Sequence, residues 1–301
     1  MSTIEKALQK NKALQENKAK DNSIEKAVEK QAETADAVEA APAAKPKPAE
    51  KASPATSHDK PTLSLEHVRE GFVSNVGRQI INEEYRAIKR KVLNNAFGPL
   101  AKTLNNSNII MVTSPNPNEG KTFTSINLAL SIALEQDKTV LLVDADVLRP
   151  SVMKTLQQPF ENGLMEYLLG EVKDVGDVIY HTDLETLKVI PAGKSHHLST
   201  ELLASEKMLE SVNEFSNRYP DRVVIIDSPP LVGINETAIL ANLAGQAVVV
   251  VQEGKTSLTR LSQAVDQLNP DMAKGFVINK STRGSGDGSD YYGYYYGSKA
   301  D

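Results

Sequence analysis

The sequence of 301 residues predicts an α/β fold in which a mostly parallel sheet is covered by helices on both faces. From residue 108 onward, short runs rich in Val and Ile alternate with helical stretches. Near-continuous apolar runs are typical of parallel strands that are buried on both faces. In such a sheet the ligand site lies at the carboxyl ends of the strands, so motifs at those ends carry the functional interpretation.

The predicted elements follow one another without long gaps. The strands are expected at 108–113, 139–144, 187–190, 222–227, 247–252 and 275–279. Helices are expected at 122–134, 163–169, 200–215, 236–243 and 257–268. A further helix at 82–93 has apolar Tyr85, Ile88 and Val92 at helical spacing. Its outer face is predicted to carry Glu83, Glu84, Arg86, Lys89 and Arg90.

The chain divides into four predicted parts. Residues 1–30 hold two copies of an Ile-Glu-Lys-Ala pattern and are expected to form a short helical segment, as a docking helix or a solvated arm. Residues 31–78 are rich in Ala, Pro, Lys and Glu and predict a flexible linker, so the arm as a whole is largely disordered. The folded domain is expected at 79–283, and a flexible tail at 284–301.

The amino-acid composition argues against a nucleic-acid-binding, a disulfide-bonded or a membrane-spanning protein. The formal net charge is -5, so no basic field for nucleic acid is expected. Cysteine is absent, which excludes disulfides and thiolate metal sites. No apolar run reaches the roughly 18 residues of a membrane span, and no signal peptide is evident. A cytoplasmic protein is therefore predicted.

A phosphate-binding loop is predicted between the first strand and its helix. The segment from Thr113 ends in Gly-Lys-Thr and opens directly into the helix, which indicates a P-loop NTPase-like domain that binds ATP and Mg²⁺. Pro115 stands where the first glycine is usual, and an ordinary strand-to-helix turn is the alternative interpretation. The predicted nucleotide-binding residues of the loop are Asn118, Glu119, Gly120, Lys121, Thr122 and Phe123.

Three aspartates are predicted at the same rim of the sheet. Asp144 and Asp146 follow the second strand, and Asp227 follows the strand at 222–227. A single aspartate after a strand is often a cap or a turn former. Three together beside a phosphate-binding loop indicate a site for a cation.

Five tyrosines lie in the last eleven residues, behind a stretch rich in glycine and serine. Their surroundings give these rings no core to enter, so the sequence predicts exposed side chains. They fit either a set of phosphate acceptors or an aromatic contact patch for a partner. The five are Tyr291, Tyr292, Tyr294, Tyr295 and Tyr296.

From about residue 80 to the end, these motifs resemble the bacterial tyrosine kinases that control exopolysaccharide synthesis. The N-terminal helix pattern further resembles the branch of autokinases associated with exosortase-linked loci. The resemblance implies that Lys121 and the three aspartates are catalytic and that Thr122, Asp146 and Asp227 hold Mg²⁺. Asp144 would take the tyrosine proton, or the roles of Asp144 and Asp146 are exchanged.

The resemblance also implies an assembly and partners. Glu83, Arg86 and Lys89 match the helix through which the family forms rings, with lysine replacing the last arginine. Asn279 matches an adenine-side residue, although an asparagine at a strand end can simply close a turn. The implied activity is phosphorylation of the tail in trans. A membrane polysaccharide co-polymerase would activate the kinase at the inner membrane, and a cognate tyrosine phosphatase would reverse the reaction.

Two other functions remain open from the sequence. An ATPase switch of the partitioning or division-site type shares the fold and the aspartate motifs, but Asn116 stands where that group has a signature lysine. A nucleotide-binding scaffold without transfer is favoured by Pro115, Asn118 and Leu148, which depart from the kinase pattern. Phosphate on the tail tyrosines distinguishes the kinase from both.

Overall fold

In the described part of the chain, the sheet has seven strands in the order β3-β4-β2-β5-β1-β6-β7. The structure is a computed structural model that describes residues 60–70 and 75–281, without the side chains of 69, 70, 75–80 and 100. Every pair of neighbouring strands is parallel except β3 and β4. The α/β fold class with a mostly parallel sheet is therefore confirmed.

The strands match the predicted positions to within two residues, apart from one short strand. The sequence did not predict β3, a two-residue edge strand that runs antiparallel to β4. The strands are β1 (Ile109–Thr113), β2 (Thr139–Asp144), β3 (Tyr180–His181), β4 (Leu187–Ile190), β5 (Arg222–Asp227), β6 (Gln246–Gln252) and β7 (Ala273–Asn279).

The helices depart from the predictions in several places, and two short helices, Glu66–Glu70 and Val152–Leu156, were not predicted. The helix predicted at 82–93 runs much further in both directions, and the helix predicted at 200–215 is two helices, because Ser205 caps a new N-terminus by accepting from the Met208 amide. The helices are α1 (Glu66–Glu70), α2 (Asn75–Phe97), α3 (Lys121–Ala133), α4 (Val152–Leu156), α5 (Leu164–Leu169), α6 (Ser199–Leu203), α7 (Glu206–Asn217), α8 (Asn235–Leu243) and α9 (Leu258–Val265). Two 3-10 helices occupy Pro99–Thr103 and Val175–Val178.

Two apolar layers cover the two faces of the sheet. Alternate residues of β1 face opposite ways, with Ile109 and Met111 in one layer and Ile110 and Val112 in the other. Helices α5 to α9 contribute to the first layer, and α1 to α4 contribute to the second. The predicted arrangement of helices on both faces is confirmed.

The folded part begins earlier than residue 79. Leu63 and Leu65 are buried at 1% exposure, and Leu63 exchanges backbone hydrogen bonds with His181 and Asp183 beside β3. Burying two leucines supplies the apolar area that the linker composition as a whole lacks. The expected linker at 31–78 is therefore too long at its C-terminal end.

Lys89 is not on the outer face of α2. Only 8% of the residue is exposed, because its aliphatic stem lies in the fold, while Nζ forms an ion pair with Glu135 and donates to the carbonyl of Ser131 at 3.2 Å. Glu83 and Arg86 do lie outside and form an ion pair with each other. The predicted outward position of Lys89 is wrong.

Several predictions concern segments outside the described residues. They include the helical segment at 1–30, most of the linker and the five tail tyrosines. Among the helices of the described ranges, none is long and apolar enough to cross a membrane.

Candidate nucleotide site

The phosphate-binding loop joins β1 to α3 with two residues in the left-handed region. Gly120 has φ +102°, which strains any other residue, and a Cβ there would lie 2.0 Å from Asn279 Nδ2 and would displace that side chain. Asn118 has φ +63°, a conformation that asparagine tolerates better than most residues. The loop thus has the backbone conformation that exposes its amides at the N-terminus of α3.

Buried Glu119 ties this loop to the loop between β6 and α9. Its carboxylate accepts from the backbone amide of Asn116 at 2.9 Å, from Asn116 Nδ2 at 2.8 Å and from the Thr256 hydroxyl. The end of β7 holds the loop from the other side, because Asn279 Nδ2 donates to the Glu119 carbonyl at 2.9 Å. Lys280 Nζ donates to the Asn118 carbonyl at 2.6 Å.

Thr122 and Asp227 meet directly. The Thr122 hydroxyl donates to Asp227 Oδ2 at 2.6 Å and lies 2.6 Å from the Ser151 hydroxyl. Ser125 donates to Asp227 Oδ1 at 2.9 Å, so both oxygens of this fully buried carboxylate accept hydroxyl groups. The strand end of β5 and the first turn of α3 are joined through this aspartate.

Asp144 and Asp146 have different surroundings although they are two residues apart. Asp144 Oδ2 accepts from the amides of Ser151 and Val152 at 3.1 and 3.0 Å, and Oδ1 accepts from the amide of Asp146 at 3.2 Å. Asp144 therefore holds the 146–151 loop and the start of α4. Asp146 lines the cavity described below, with Oδ2 3.8 Å from Lys121 Nζ.

Burial raises the pKa of all three carboxyls. The pKa of Asp144 rises to about 8, through desolvation first and repulsion from Asp227 second, because the two lie side by side on paired strands. Desolvation also raises the pKa of Asp227 to about 6, against the stabilising hydroxyl of Thr122. Burial raises the pKa of Asp146, and Lys121 offsets part of that rise. Such a set of carboxyls favours a cation beside it.

A cavity of about 830 Å³ lies over these groups. Its volume lies within the range of small-molecule sites. Four cationic side chains line it, from the phosphate-binding loop, from the segment after β2 and from the end of β7. The cations are Lys121, Arg149, Lys154 and Lys280. The charge and volume of the cavity suit a polyphosphate.

The structure brings most of the predicted site residues together. The residues lining the cavity include Asn118, Gly120, Lys121, Thr122, Phe123 and Asp146. The other four lie beneath the cavity wall, where Asp227 accepts from Thr122, Asp144 accepts from the Asp146 amide, and Asn279 donates to the carbonyl of Glu119. Asn279 is engaged with the loop backbone.

Several contributors escaped the sequence analysis. Ser125 was detectable as one turn after Lys121 on the predicted helix, because residues four apart share a face. Ser151 and Thr256 lie in loops and carry no sequence signal, since their contacts are made only by the tertiary fold.

The donor set fits Mg²⁺ better than a transition metal. In the described part of the chain, no group of three or more His, Cys, Asp or Glu is arranged to hold a metal ion. Mg²⁺ needs only one or two carboxylates when phosphate oxygens and water complete its shell. Thr122, Asp146 and Asp227 supply a hydroxyl and two carboxylates.

Comparison with known proteins identifies the family. A family model described as an AAA domain matches residues 107–275. The chain is 34% identical over 193 residues to a tyrosine-protein kinase CpsD of Streptococcus agalactiae, covering 62% of this chain and 81% of that protein. It is also 34% identical over 181 residues to a tyrosine-protein kinase ptk of Acinetobacter johnsonii, covering 60% of this chain and 24% of that protein.

A solved structure agrees with these relatives. The kinase domain of the Escherichia coli tyrosine kinase ETK is 29% identical, with a TM-score of 0.57, covering 66% of this chain and 77% of that chain. The present chain spans about a quarter of the length of the first curated relatives that it matches. The predicted resemblance is confirmed, and the chain belongs to the family of bacterial tyrosine-protein kinases, with an AAA domain at residues 107–275.

Proposed function

We propose that this chain is an ATP-dependent protein-tyrosine kinase that phosphorylates its own C-terminal tyrosines and thereby regulates exopolysaccharide synthesis and export. The observation that carries the proposal is the pairing of Thr122 with Asp227 at 2.6 Å under a cavity lined by Lys121. A hydroxyl, a carboxylate and a lysine at the N-terminus of a helix form a site for a nucleotide phosphate chain and its cation.

In this proposal Lys121 and the loop amides bind the phosphates, while Thr122, Asp146 and Asp227 hold Mg²⁺ directly or through water. Bound Mg²⁺ and ATP supply the transferable phosphoryl group and neutralise part of its charge. Arg149 and Lys280 line the same cavity and add positive charge where the phosphates would lie. Asn118, Glu119, Gly120 and Phe123 shape the loop and the cavity wall, and Asn279 holds the loop from behind.

The group that accepts the tyrosine proton is one of the two aspartates after β2. A tyrosine hydroxyl has a pKa near 10 when unperturbed, so a carboxylate beside it assists attack at neutral pH. The exposure of Asp146 to the cavity supports that residue as the base, because Asp144 directs both oxygens at backbone amides. The raised pKa of Asp144 supports the alternative, provided that the 146–151 loop moves when substrate binds.

The acceptors are Tyr291, Tyr292, Tyr294, Tyr295 and Tyr296. Lys280 lines the cavity, and Tyr291 follows eleven residues later, which is a reach of roughly 36 Å for an extended chain. That length allows a tail to reach the cavity of a neighbouring copy, as transfer in trans requires. Each phosphate adds about -1.5 to -2 charges, and several on one tail repel one another.

Assembly and partners belong to the same proposal. Exposed Glu83 and Arg86 on α2 are available to another copy in a ring. Buried Lys89 would act by holding α2 against α3. A membrane polysaccharide co-polymerase would activate the kinase at the inner membrane, and a cognate phosphatase would remove the tail phosphates. The assignment to the exosortase-associated branch rests on the N-terminal pattern and stays a prediction.

The test is intact-protein mass spectrometry after phosphatase treatment and incubation with Mg-ATP. We expect several added phosphates on the full chain, and none on Lys121→Met or on a chain ending at Asp290. Lys102→Met is the matched control, because Lys102 is exposed in the 3-10 helix before β1, outside the cavity. It should be phosphorylated like the parent.

Two results would contradict the proposal. Phosphates that map outside residues 291–296 would contradict the choice of acceptor. No phosphate on the full chain, even with an activator fragment and with bound ATP detected, would favour the switch or the scaffold.

A further inference from the structure

Among the residues that the structure describes, no strand pairs with the outer edge of β7. Within the described residues, β7 pairs with β6 alone. The amide of Ala273 donates to the carbonyl of Gly245, and the carbonyl of Asn279 accepts from the amide of Glu253. The backbone N–H and C=O groups of the odd-numbered residues of β7 therefore point toward β6. Because successive residues of a strand point their backbone groups to opposite sides, those of Lys274, Phe276 and Ile278 face outward.

The side chains at this edge are unusually apolar for a surface. Phe276 is 53% exposed and Ile278 is 67% exposed. They lie on the same face of the sheet, next to Val249 and Val251 of β6. Leu258, at the start of the helix that covers this face, is 83% exposed. An edge strand that is both unpaired and apolar promotes pairing with another segment.

The sequence that follows β7 supplies a segment of matching chemistry. Residues 282–290 are mostly glycine, serine and charged residues, and Tyr291–Tyr296 holds five tyrosines in six positions. Tyrosine is enriched in strands, and the closure cost of a flexible connection rises only slowly with its length. We propose that the segment Tyr291–Tyr296 of the same chain docks as an added strand along the outer edge of β7.

The lengths and faces agree with an antiparallel pairing. Six residues of the tail match the seven residues of β7. Alternation places Tyr292, Tyr294 and Tyr296 on one face and Tyr291 and Tyr295 on the other. One set contacts Phe276 and Ile278. The other set faces a groove of about 540 Å³ between α2 and β7, which Ile88 and Val277 help to line.

Docking gives the tail a resting position. This consequence rests on the proposed kinase activity: the hydroxyls of docked tail tyrosines cannot accept a phosphoryl group until the tail leaves the edge of β7. A phosphorylated tyrosine is not returned to this position, because its charge would lose water beside Phe276 and Ile278. Phosphorylation would therefore convert a docked tail into a released one.

The test is hydrogen exchange resolved at single amides by NMR, on phosphatase-treated protein without nucleotide. The amides of Phe276 and Ile278 should exchange about tenfold faster in a chain ending at Asp290 than in the full chain. The amide of Val277, which faces β6, is the internal reference and should change little. No kinase activity is needed, so a negative result would leave the proposed activity untouched.

Side-chain variants and dilution show whether the outer edge of β7 is covered by the tail of the same chain or by a second copy. Changing all five tail tyrosines to serine should speed exchange as truncation does, and so should Ile278→Ser. Leu134→Ser, an exposed apolar residue after α3, should leave exchange unchanged. Equal exchange rates in the full and truncated chains would overturn the proposal. So would protection that weakens on dilution, because that result indicates a second copy on the edge.

Discussion

Replacing Asp227 with asparagine is expected to stabilise the fold when no divalent cation is bound. Asp227 is fully buried, and burial raises its pKa to about 6 from 3.8. Each unit is worth about 1.4 kcal/mol, so the charged form costs the native state roughly 3 kcal/mol at neutral pH. The same charge is the second cause of the raised pKa of Asp144, so its removal relieves both residues.

Changed hydrogen-bond geometry offsets part of this gain. Asp227 accepts from the hydroxyls of Thr122 and Ser125. Hydroxyls rotate, so one can accept from the new amide NH₂ while the other still donates to its oxygen. The loss of charge assistance is already contained in the pKa of about 6, because both hydroxyls lower that pKa, so only the poorer geometry around the larger NH₂ opposes the gain, by about 1 to 2 kcal/mol. The expected net gain is about 1 to 2 kcal/mol, or roughly 2–8 °C in Tm.

The gain depends on pH with a definite sign. Because the native pKa exceeds the unfolded value, the native state holds more protons between about pH 4 and pH 6, and the parent loses stability as pH rises through that window. Asparagine does not titrate there. The advantage of Asp227→Asn should therefore be small near pH 4 and complete above about pH 7.

Thermal unfolding followed by circular dichroism in EDTA tests this at about pH 5 and about pH 7.5. Asp271→Asn, in the exposed turn before β7, is the control and should leave Tm unchanged. Mg-ADP should stabilise the parent and not Asp227→Asn. A variant that unfolds at or below the parent's temperature at pH 7.5 without cation would refute the reasoning.

Three further outcomes are expected. Gly120→Ala should weaken nucleotide binding, measured by titration calorimetry, at least about tenfold, because its Cβ would clash with Asn279. Gly254→Ala is the control: Gly254 also has a positive φ, +69°, but open space around it, so this variant should bind nucleotide like the parent. Lys89→Met should lower the free energy of unfolding, measured in urea, by about 1 to 2 kcal/mol, because Glu135 and the Ser131 carbonyl lose their partner. Its control, the exposed Arg86→Met, should change that free energy by less than about 0.5 kcal/mol. Asp144→Asn should raise Tm by less than Asp227→Asn does at about pH 7.5, although burial raises the pKa of Asp144 further, because in either orientation its NH₂ faces an amide donor, that of Asp146 or those of Ser151 and Val152. Asp146→Asn should retain Tm and lose phosphoryl transfer.

The sequence located the strand ends at the candidate site better than it located the residues packed around them. Strand ends such as Asp144 and Asp227 are readable because a buried parallel strand is an apolar run that stops at a polar residue. Lys89 was misplaced because helical spacing assigns a charged residue to the outside. The partner that allows its burial, Glu135, lies 46 positions further along the chain. Leu63 and Leu65 were missed because a single Leu-Ser-Leu alternation in a polar stretch is too short to indicate a buried strand.

Asn118 and Leu148 depart from the kinase pattern, and in the sequence they argue against nucleotide binding. The structure shows how neighbouring residues compensate for both. Asn118 takes the left-handed conformation that glycine would otherwise provide, and Lys280 secures its carbonyl. Leu148 departs from the kinase pattern, yet Arg149 lines the cavity and its amide donates to Asp146 Oδ1 at 3.1 Å. The guanidinium is therefore available one residue later. Because these substitutions leave the amides, the cations and the carboxylates around one cavity, they do not favour a scaffold over a kinase.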